Sequence, residues 1–342
     1  MNYINKTAKI LLSNSLNRFS AWNDDRKIKV LVKTWDGFDN ALWSNITGEK
    51  IAKLEKYAQF IFTFNKLDFI KNIKNADIVF SDSIETSVNN KKIKFIQVPL
   101  SGVDYIEKYK SLKGKIVTSR GLSSDLISEY VLTFILLQSK RINIIEDNMK
   151  NQKWEQSALL KEMKKNSDVK ICVYGFGSVG KKIVENLSQL GFIIYIIDEN
   201  YNNKIKNDTK IHFIKNLSEI NGNIDFIVLA VPLTKKTKKM VDSKFIENIG
   251  ENCCLINISR GEIINEKDLI YALKNNLLKS AVLDVVSNEP LLPSSELWNC
   301  PNLIITPHVA GNINLIKEQI LERFINNVWA VIKGSSLIDG SI

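Results

Sequence analysis

Short apolar runs recur along the chain, each the length of a strand and each followed by a stretch with helical apolar spacing. Between residues 28 and 120 the runs are KIKVLV, YAQFIF, ADIVFS, IKFIQV and KIVT, which predict a first, smaller sheet domain. A second series, VKICVY, FIIYII, KIHFI, IDFIVLAV, CCLINI, SAVLD and NLIIT, begins near residue 169. Its runs are nearly continuous, as strands buried on both faces require, so a doubly wound parallel sheet is expected. SRGLSS, with Gly121, reads as a hinge before the apolar helix DLISEYVLTFILLQSKRI, and INLIKEQILERFINNVWAVI reads as the last helix. A short helix is possible near Thr7 to Phe19.

Composition narrows the class. A chain of 342 residues with 44% apolar content can bury two cores. The run from Val131 to Leu137 is too short to span a bilayer, and the N-terminal Ile10 to Leu12 run is too brief for a secretory signal, so a cytoplasmic protein without membrane association is expected. The net charge of +10 is spread over segments such as NNKKIK and KKTKK without interleaved aromatics, which argues against a nucleic-acid partner. Cys172, Cys253, Cys254 and Cys300 read as reduced core thiols. Consecutive cysteines face opposite sides of a strand, and only His212 and His308 offer imidazoles, so no metal site is expected.

Chemistry enters at GFGSVG. Gly175, Gly177 and Gly180 follow a strand and precede helical apolar spacing at Val179, Ile183, Leu187 and Leu190, the context in which glycines admit a dinucleotide pyrophosphate. Asp198 ends the next strand, where a carboxylate accepts from ribose hydroxyls and repels a 2′-phosphate, so NAD is favoured over NADP. Lys204 is the one nearby cation that the sequence suggests could offset that repulsion. Three further residues, Arg260, Glu289 and His308, each follow a strand-like run. Taken singly, each reads as a surface ion pair, a loop charge or a capping histidine. Together they answer the demands of 2-oxo acid reduction. An arginine grips a carboxylate through two hydrogen bonds, a histidine supplies the proton, and a carboxylate orients the imidazole and favours its charged form.

Six ordered blocks, FIQVPLSGVDYI, GFGSVG with Asp198, AVPLTKKTKKMV, INISRGEIINEKDLIYAL, AVLDVVSNEP and NLIITPHVAG, resemble the D-isomer-specific 2-hydroxyacid dehydrogenases over most of residues 28 to 333. The resemblance implies a Rossmann-type domain, residues 121–311, inserted into a smaller flavodoxin-like α/β substrate domain formed by 1–120 and 312–342. It implies Arg260 as the substrate-binding arginine, Glu289 as the partner of the histidine and His308 as the acid/base, with Ser101, Gly102 and Val103 holding the substrate carboxylate. Cofactor contacts are implied for Phe176, Gly177, Ser178, Val179, Asp198, Val231, Pro232, Thr237, Ile258, Ser259, Arg260, Asp284 and Gly311, with Asp284 facing the nicotinamide carboxamide. Ser178 departs from the arginine that many relatives carry. The helix from Ser124 to Ile142 and the arm through Trp154 to Leu160 resemble the region that joins a homodimer. Two functions stay open: an NADH-dependent reductase of a small 2-oxo acid, and an NAD(H)-sensing interaction protein of the same fold.

Overall fold

The structure, a computed structural model, describes residues 26–34, 38–82, 90–102, 112, 115–199, 209–220 and 224–338. The helix expected near Thr7 to Phe19 lies outside them, as do Val103 and Lys204. The described chain forms two compact units, one holding residues up to Leu122 and from Ile313 onward, the other Ser123–Asn312.

In the first unit β1 (Ile28–Lys33), β2 (Ala58–Thr63), β3 (Ile78–Phe80), β4 (Phe95–Gln97) and β5 (Ile116–Val117) pair in parallel, in the spatial order β2, β1, β3, β4, β5. Each falls within one of the five apolar runs. Helices α1 (Asn40–Leu54) and α2 (Lys66–Ile73) begin where the side chains of Asp39 and Asn65 accept the N–H groups of Leu42 and Asp68, relieving otherwise unpaired donors.

The second unit opens with α3 (Ser124–Ser139), α4 (Ile142–Lys150) and α5 (Gln156–Glu162), then builds a seven-stranded parallel sheet. Its elements are β6 (Lys170–Tyr174), α6 (Ser178–Gln189), β7 (Ile193–Ile197), β8 (Ile211–Phe213), β9 (Phe226–Leu229), α7 (Ser243–Ile249), β10 (Cys254–Asn257), α8 (Glu266–Lys274), β11 (Ser280–Leu283) and β12 (Leu303–Ile305). Strand side chains alternate between two buried faces. Ile171 and Val173 lie on the face covered by α3 and α6, with Val131, Ile135, Ile183 and Leu187, while Cys172 and Leu255 lie on the other. Cys253 and Cys254 accordingly go to opposite faces, and burial raises the Cys172 and Cys254 thiols to about 12 and about 11. Unpaired and held as thiols, they are inert filling rather than nucleophiles.

After Asn312 the chain returns to the first unit with α9 (Lys317–Lys333). Its Phe324 meets Trp43 of α1 and Phe80 of β3 edge-on, with ring centroids 5.8 and 5.1 Å apart, so the last helix completes the core of the first unit. Gly334 ends it in the left-handed conformation, where a side chain would clash. Among the described residues no helix is long and apolar enough to cross a membrane.

Candidate active site

The second sheet runs β12, β11, β10, β9, β6, β7, β8, so the strand order reverses at β6. Open α/β sheets bind ligands outside the carboxyl ends of their strands at such a reversal. Gly175 follows β6 with φ of +106°, and a Cβ there would lie 2.5 Å from the carbonyl oxygen of Ala230 beyond β9. At Gly180 a Cβ would lie 2.0 Å from Gly175 O. Both glycines therefore serve the chain's own close approach of α6 to strand. Gly177 does something different: it caps α6 without a side chain, leaving the first-turn N–H groups of a 12-residue helix for an anion. That arrangement fits a dinucleotide pyrophosphate held by backbone, and it needs no arginine at Ser178, the first residue of the helix.

Asp198 follows β7, and its Oδ2 accepts the Phe176 N–H at 2.6 Å, which fixes a carboxylate beside the glycine loop. The Phe176 ring meets Phe213 edge-on at 5.2 Å. Two cations that the sequence reading did not place here are close. Lys181 Nζ lies 5.6 Å from the Phe176 ring centroid, and Lys236 pairs with Glu199 at 3.0 Å. Val231 and Pro232 begin the turn after β9, where Thr237 Oγ1 donates to Pro232 O at 2.7 Å.

The next three strands carry the acid/base and cation candidates. Ile258, Ser259 and Arg260 follow β10, Asp284 follows β11, and His308 follows β12. Asn257, fully buried, ties the first turn together: Oδ1 accepts from Ser259 N at 3.0 Å and Nδ2 donates to Arg260 O at 2.9 Å. Ser259 Oγ donates to Leu229 O at 2.7 Å, and Arg260 Nη1 donates to Ser259 O at 2.5 Å. A Cβ at Gly261 would lie 1.9 Å from Val286 C, so the turn carrying Arg260 is pressed onto the backbone leading to Glu289. Glu266 Oε1 accepts Ser287 N–H from the same backbone at 2.7 Å. Glu289 then spans two tasks. Its Oε1 accepts Val286 N–H at 3.2 Å, and its Oε2 lies 2.8 Å from His308 Nδ1.

His308 stands at φ of +53°, a left-handed conformation costly for a residue with a Cβ, and its side chain is half exposed. Asp284 holds it there. This residue is 2% exposed, and its carboxylate accepts Thr306 Oγ1 at 2.8 Å, Val309 N–H at 2.9 Å and Ala310 N–H at 3.0 Å, while its backbone oxygen accepts His308 N–H at 2.9 Å. The resemblance assigns Asp284 to the cofactor; the structure commits both its carboxylate oxygens to the loop that bears His308. Tyr130, from α3, hydrogen-bonds to Thr306 Oγ1 and extends this chain outward. Burial, reinforced by the Asp284 charge and opposed by the Thr306 contact, pushes the Tyr130 phenol up to about 12, so it stays a neutral donor. A threonine hydroxyl has one proton, and with Tyr130 donating to it that proton goes to Asp284.

Ser101 and Gly102 follow β4 in the first unit, where Ser101 Oγ donates to Ser119 O at 3.2 Å. A Cβ at Gly311 would make only ordinary contact with Ile127 and Ser123. His212 lies in β8 beside Tyr195, away from the row of strands that carries the acid/base candidates. Among the described residues no group of three His, Cys, Asp or Glu side chains could hold a metal ion. Sequence reasoning missed Asn257, Gly261, Glu266, Thr306 and Tyr130. A glycine next to Arg260 was a usable signal for Gly261, whereas Tyr130 reaches Thr306 from 176 residues away and gives no local sign.

Comparison with known proteins supplies the remaining context. Residues 132–310 match the family described as D-isomer specific 2-hydroxyacid dehydrogenase, NAD binding domain. An erythronate-4-phosphate dehydrogenase of Wigglesworthia glossinidia brevipalpis is 32% identical over 80% of this chain and 66% of that protein. A glycerate dehydrogenase of Methylorubrum extorquens is 24% identical over 82% of this chain and 90% of that one. Among solved structures, a D-isomer specific 2-hydroxyacid dehydrogenase family protein from Aeromonas salmonicida is 25% identical with a TM-score of 0.77, covering 93% of this chain and 99% of that one. An NADPH-dependent glyoxylate/hydroxypyruvate reductase from Sinorhizobium meliloti, solved with NADP and sulfate, is 20% identical with a TM-score of 0.74, covering 92% and 98%, and shows the shared fold. With its glycine loop at the strand reversal and its Glu289–His308 pair on the matched sheet, this chain belongs to the D-isomer specific 2-hydroxyacid dehydrogenases.

Proposed function

We propose that the protein reduces a small 2-oxo acid to the D-2-hydroxy acid with NADH. The observation that carries this reading is the Glu289–His308 pair at 2.8 Å, anchored by Asp284 and following the strands next to the one that bears Arg260. The dinucleotide, when bound, supplies the hydride. Everything else falls to side chains. Glu289 holds Nδ1, so Nε2 is the atom of His308 from which a proton passes to the developing alkoxide. Arg260, one end of its guanidinium fixed on Ser259 O, holds the substrate carboxylate and polarises the carbonyl. Ser101, Gly102 and Val103 are proposed to complete the hold on the carboxylate, as the resemblance implies. The first unit is thus assigned to substrate and the second to cofactor.

The preference for NADH rests on Asp198. A carboxylate fixed by the Phe176 N–H accepts from ribose hydroxyls and meets a 2′-phosphate with like charge. Lys236 is already paired with Glu199, which lessens its value to a phosphate. Two copies are proposed to join through the arm after α3. No residue of α4 or α5 is buried, and Trp154, Met149 and Leu160 are 93%, 74% and 65% exposed, an apolar surface that suits a two-fold contact. Unpaired cysteines suit a cytoplasmic setting. A screen of NADH oxidation over glyoxylate, hydroxypyruvate, pyruvate, longer 2-oxo acids and 3-phosphohydroxypyruvate tests the reading. Turnover of at least one acid is expected; NADH binding without turnover of any would favour the sensing role instead.

A further inference from the structure

At the opposite edge of the second sheet, where β6, β9, β10 and β11 begin, a small cavity gathers an excess of positive charge. It is lined by Arg141, Lys164 and Lys279 and by the carboxylates of Glu162 and Asp225. Two of the cations are matched: Arg141 Nη2 pairs with Glu162 at 2.7 Å and Lys164 with Asp225 at 2.6 Å. Lys279 has no such partner. Burial first, and then the neighbouring Arg141 guanidinium, push its pKa down, with Glu162, Asp225 and Lys164 contributing smaller effects of both signs. A half-buried ammonium left over from the ion pairs is costly unless something negative completes the set.

Three further features meet in this cavity. Arg141 Nε is buried and makes no hydrogen bond, although its guanidinium is 11% exposed and already holds Glu162. Ser280 Oγ is also buried without a hydrogen-bond partner, with only the Cys254 thiol beside it. Arg141 itself sits at φ of 57°, a left-handed strain at the start of α4. Buried donors left unpaired are exceptional in folded proteins and mark places where a water or ion belongs. The cavity volume of about 30 Å³ is two to three times what one water requires, room for the oxygens of one compact anion.

We propose that this cavity is a binding site for a small oxyanion of the phosphate type, held by Arg141 Nε, Lys279 Nζ and Ser280 Oγ. A planar N–H, an ammonium and a hydroxyl are the donors that an oxyanion's divergent lone pairs accept. The site is independent of the dehydrogenase reading, since none of its residues belongs to the candidate active site.

The test is a phosphate titration of the full chain at constant ionic strength against chloride, followed by thermal unfolding and by the ³¹P linewidth, for wild type, Lys279→Met, Lys279→Arg and Ser280→Ala. Wild type should gain a few degrees in Tm at saturating phosphate, as any ligand of the native state produces. Lys279→Met should bind at least tenfold more weakly, Ser280→Ala a few-fold more weakly, and Lys279→Arg nearly as well as wild type. Without phosphate, Lys279→Met should melt no lower than wild type, because it removes an uncompensated cation. No shift in wild type overturns the proposal. So does a shift that survives both Lys279→Met and Ser280→Ala, since phosphate would then be binding at the glycine loop.

Discussion

Replacing Asp284 by Asn isolates what anchors His308. The amide keeps one acceptor oxygen, which can still serve Thr306 Oγ1 and Val309 N–H, but it puts an NH2 group against Ala310 N–H, a residue only 5% exposed. One hydrogen bond to a charged acceptor is lost, worth about 1.5–3 kcal/mol, and the two that remain lose their charge assistance. Relief from burying a carboxylate offsets part of this, leaving a net loss of about 2–3 kcal/mol. For a unit of this size that is roughly 5–10 °C in Tm. The assay is thermal unfolding of the apo protein together with native-state hydrogen exchange. Protection at His308, Val309 and Ala310 should fall more than protection in β6 or β10, because the loop loses the contacts that hold His308 at φ of +53°. Apo measurements keep the effect separate from any contact Asp284 makes with a cofactor. A Tm within about 1 °C of wild type and unchanged exchange at Val309 and Ala310 would refute the anchoring role.

Three other outcomes are expected. Gly261→Ala, whose Cβ would meet Val286 C at 1.9 Å, should cost about 3 kcal/mol or more and raise KM for the acid as Arg260 is displaced; a variant with wild-type Tm and KM would show that the turn yields freely. The Asp77 carboxyl, pushed up by burial, is nevertheless held below its ordinary 3.8 by Arg26, by Lys29 N–H and by the Lys94 charge. A depressed pKa stabilises the fold above about pH 4 and loses that contribution as pH falls through the folded value. Arg26→Ala should therefore move acid unfolding to higher pH and cost about 1–2 kcal/mol at neutral pH, and an unchanged acid midpoint would remove the pairing from the account. Asp198→Ala should narrow the ratio of kcat/KM for NADH over NADPH by about tenfold or more; a wild type that prefers NADPH would overturn the NAD assignment.

The strands were legible because both sheets are parallel and buried on both faces, so each left a continuous apolar run bounded by polar residues. The glycine loop was legible for a similar reason, since φ of +106° at Gly175 and a 2.0 Å approach at Gly180 admit no other residue. Position after a strand was enough to single out Arg260, Glu289 and His308, because a sheet's carboxyl edge gathers whatever follows its strands. The supporting contacts were not legible. Asp284 reads as an ordinary residue after a run, and nothing local shows that it would accept three loop donors or that Tyr130 would reach Thr306 across the fold. The charge around Asp198 was misjudged for the same reason: Lys236 arrives beside Glu199 from 37 residues downstream.

The central claim is that His308 delivers the proton in a 2-oxo acid reduction, and the turnover of His308→Ala with the best acid of the screen tests it most directly. The account predicts that kcat falls by roughly 10²-fold or more while NADH binding, read by fluorescence titration, is retained. His212→Ala, in β8, should leave turnover unchanged. Near-normal turnover by His308→Ala would contradict the mechanism even with the fold and family intact.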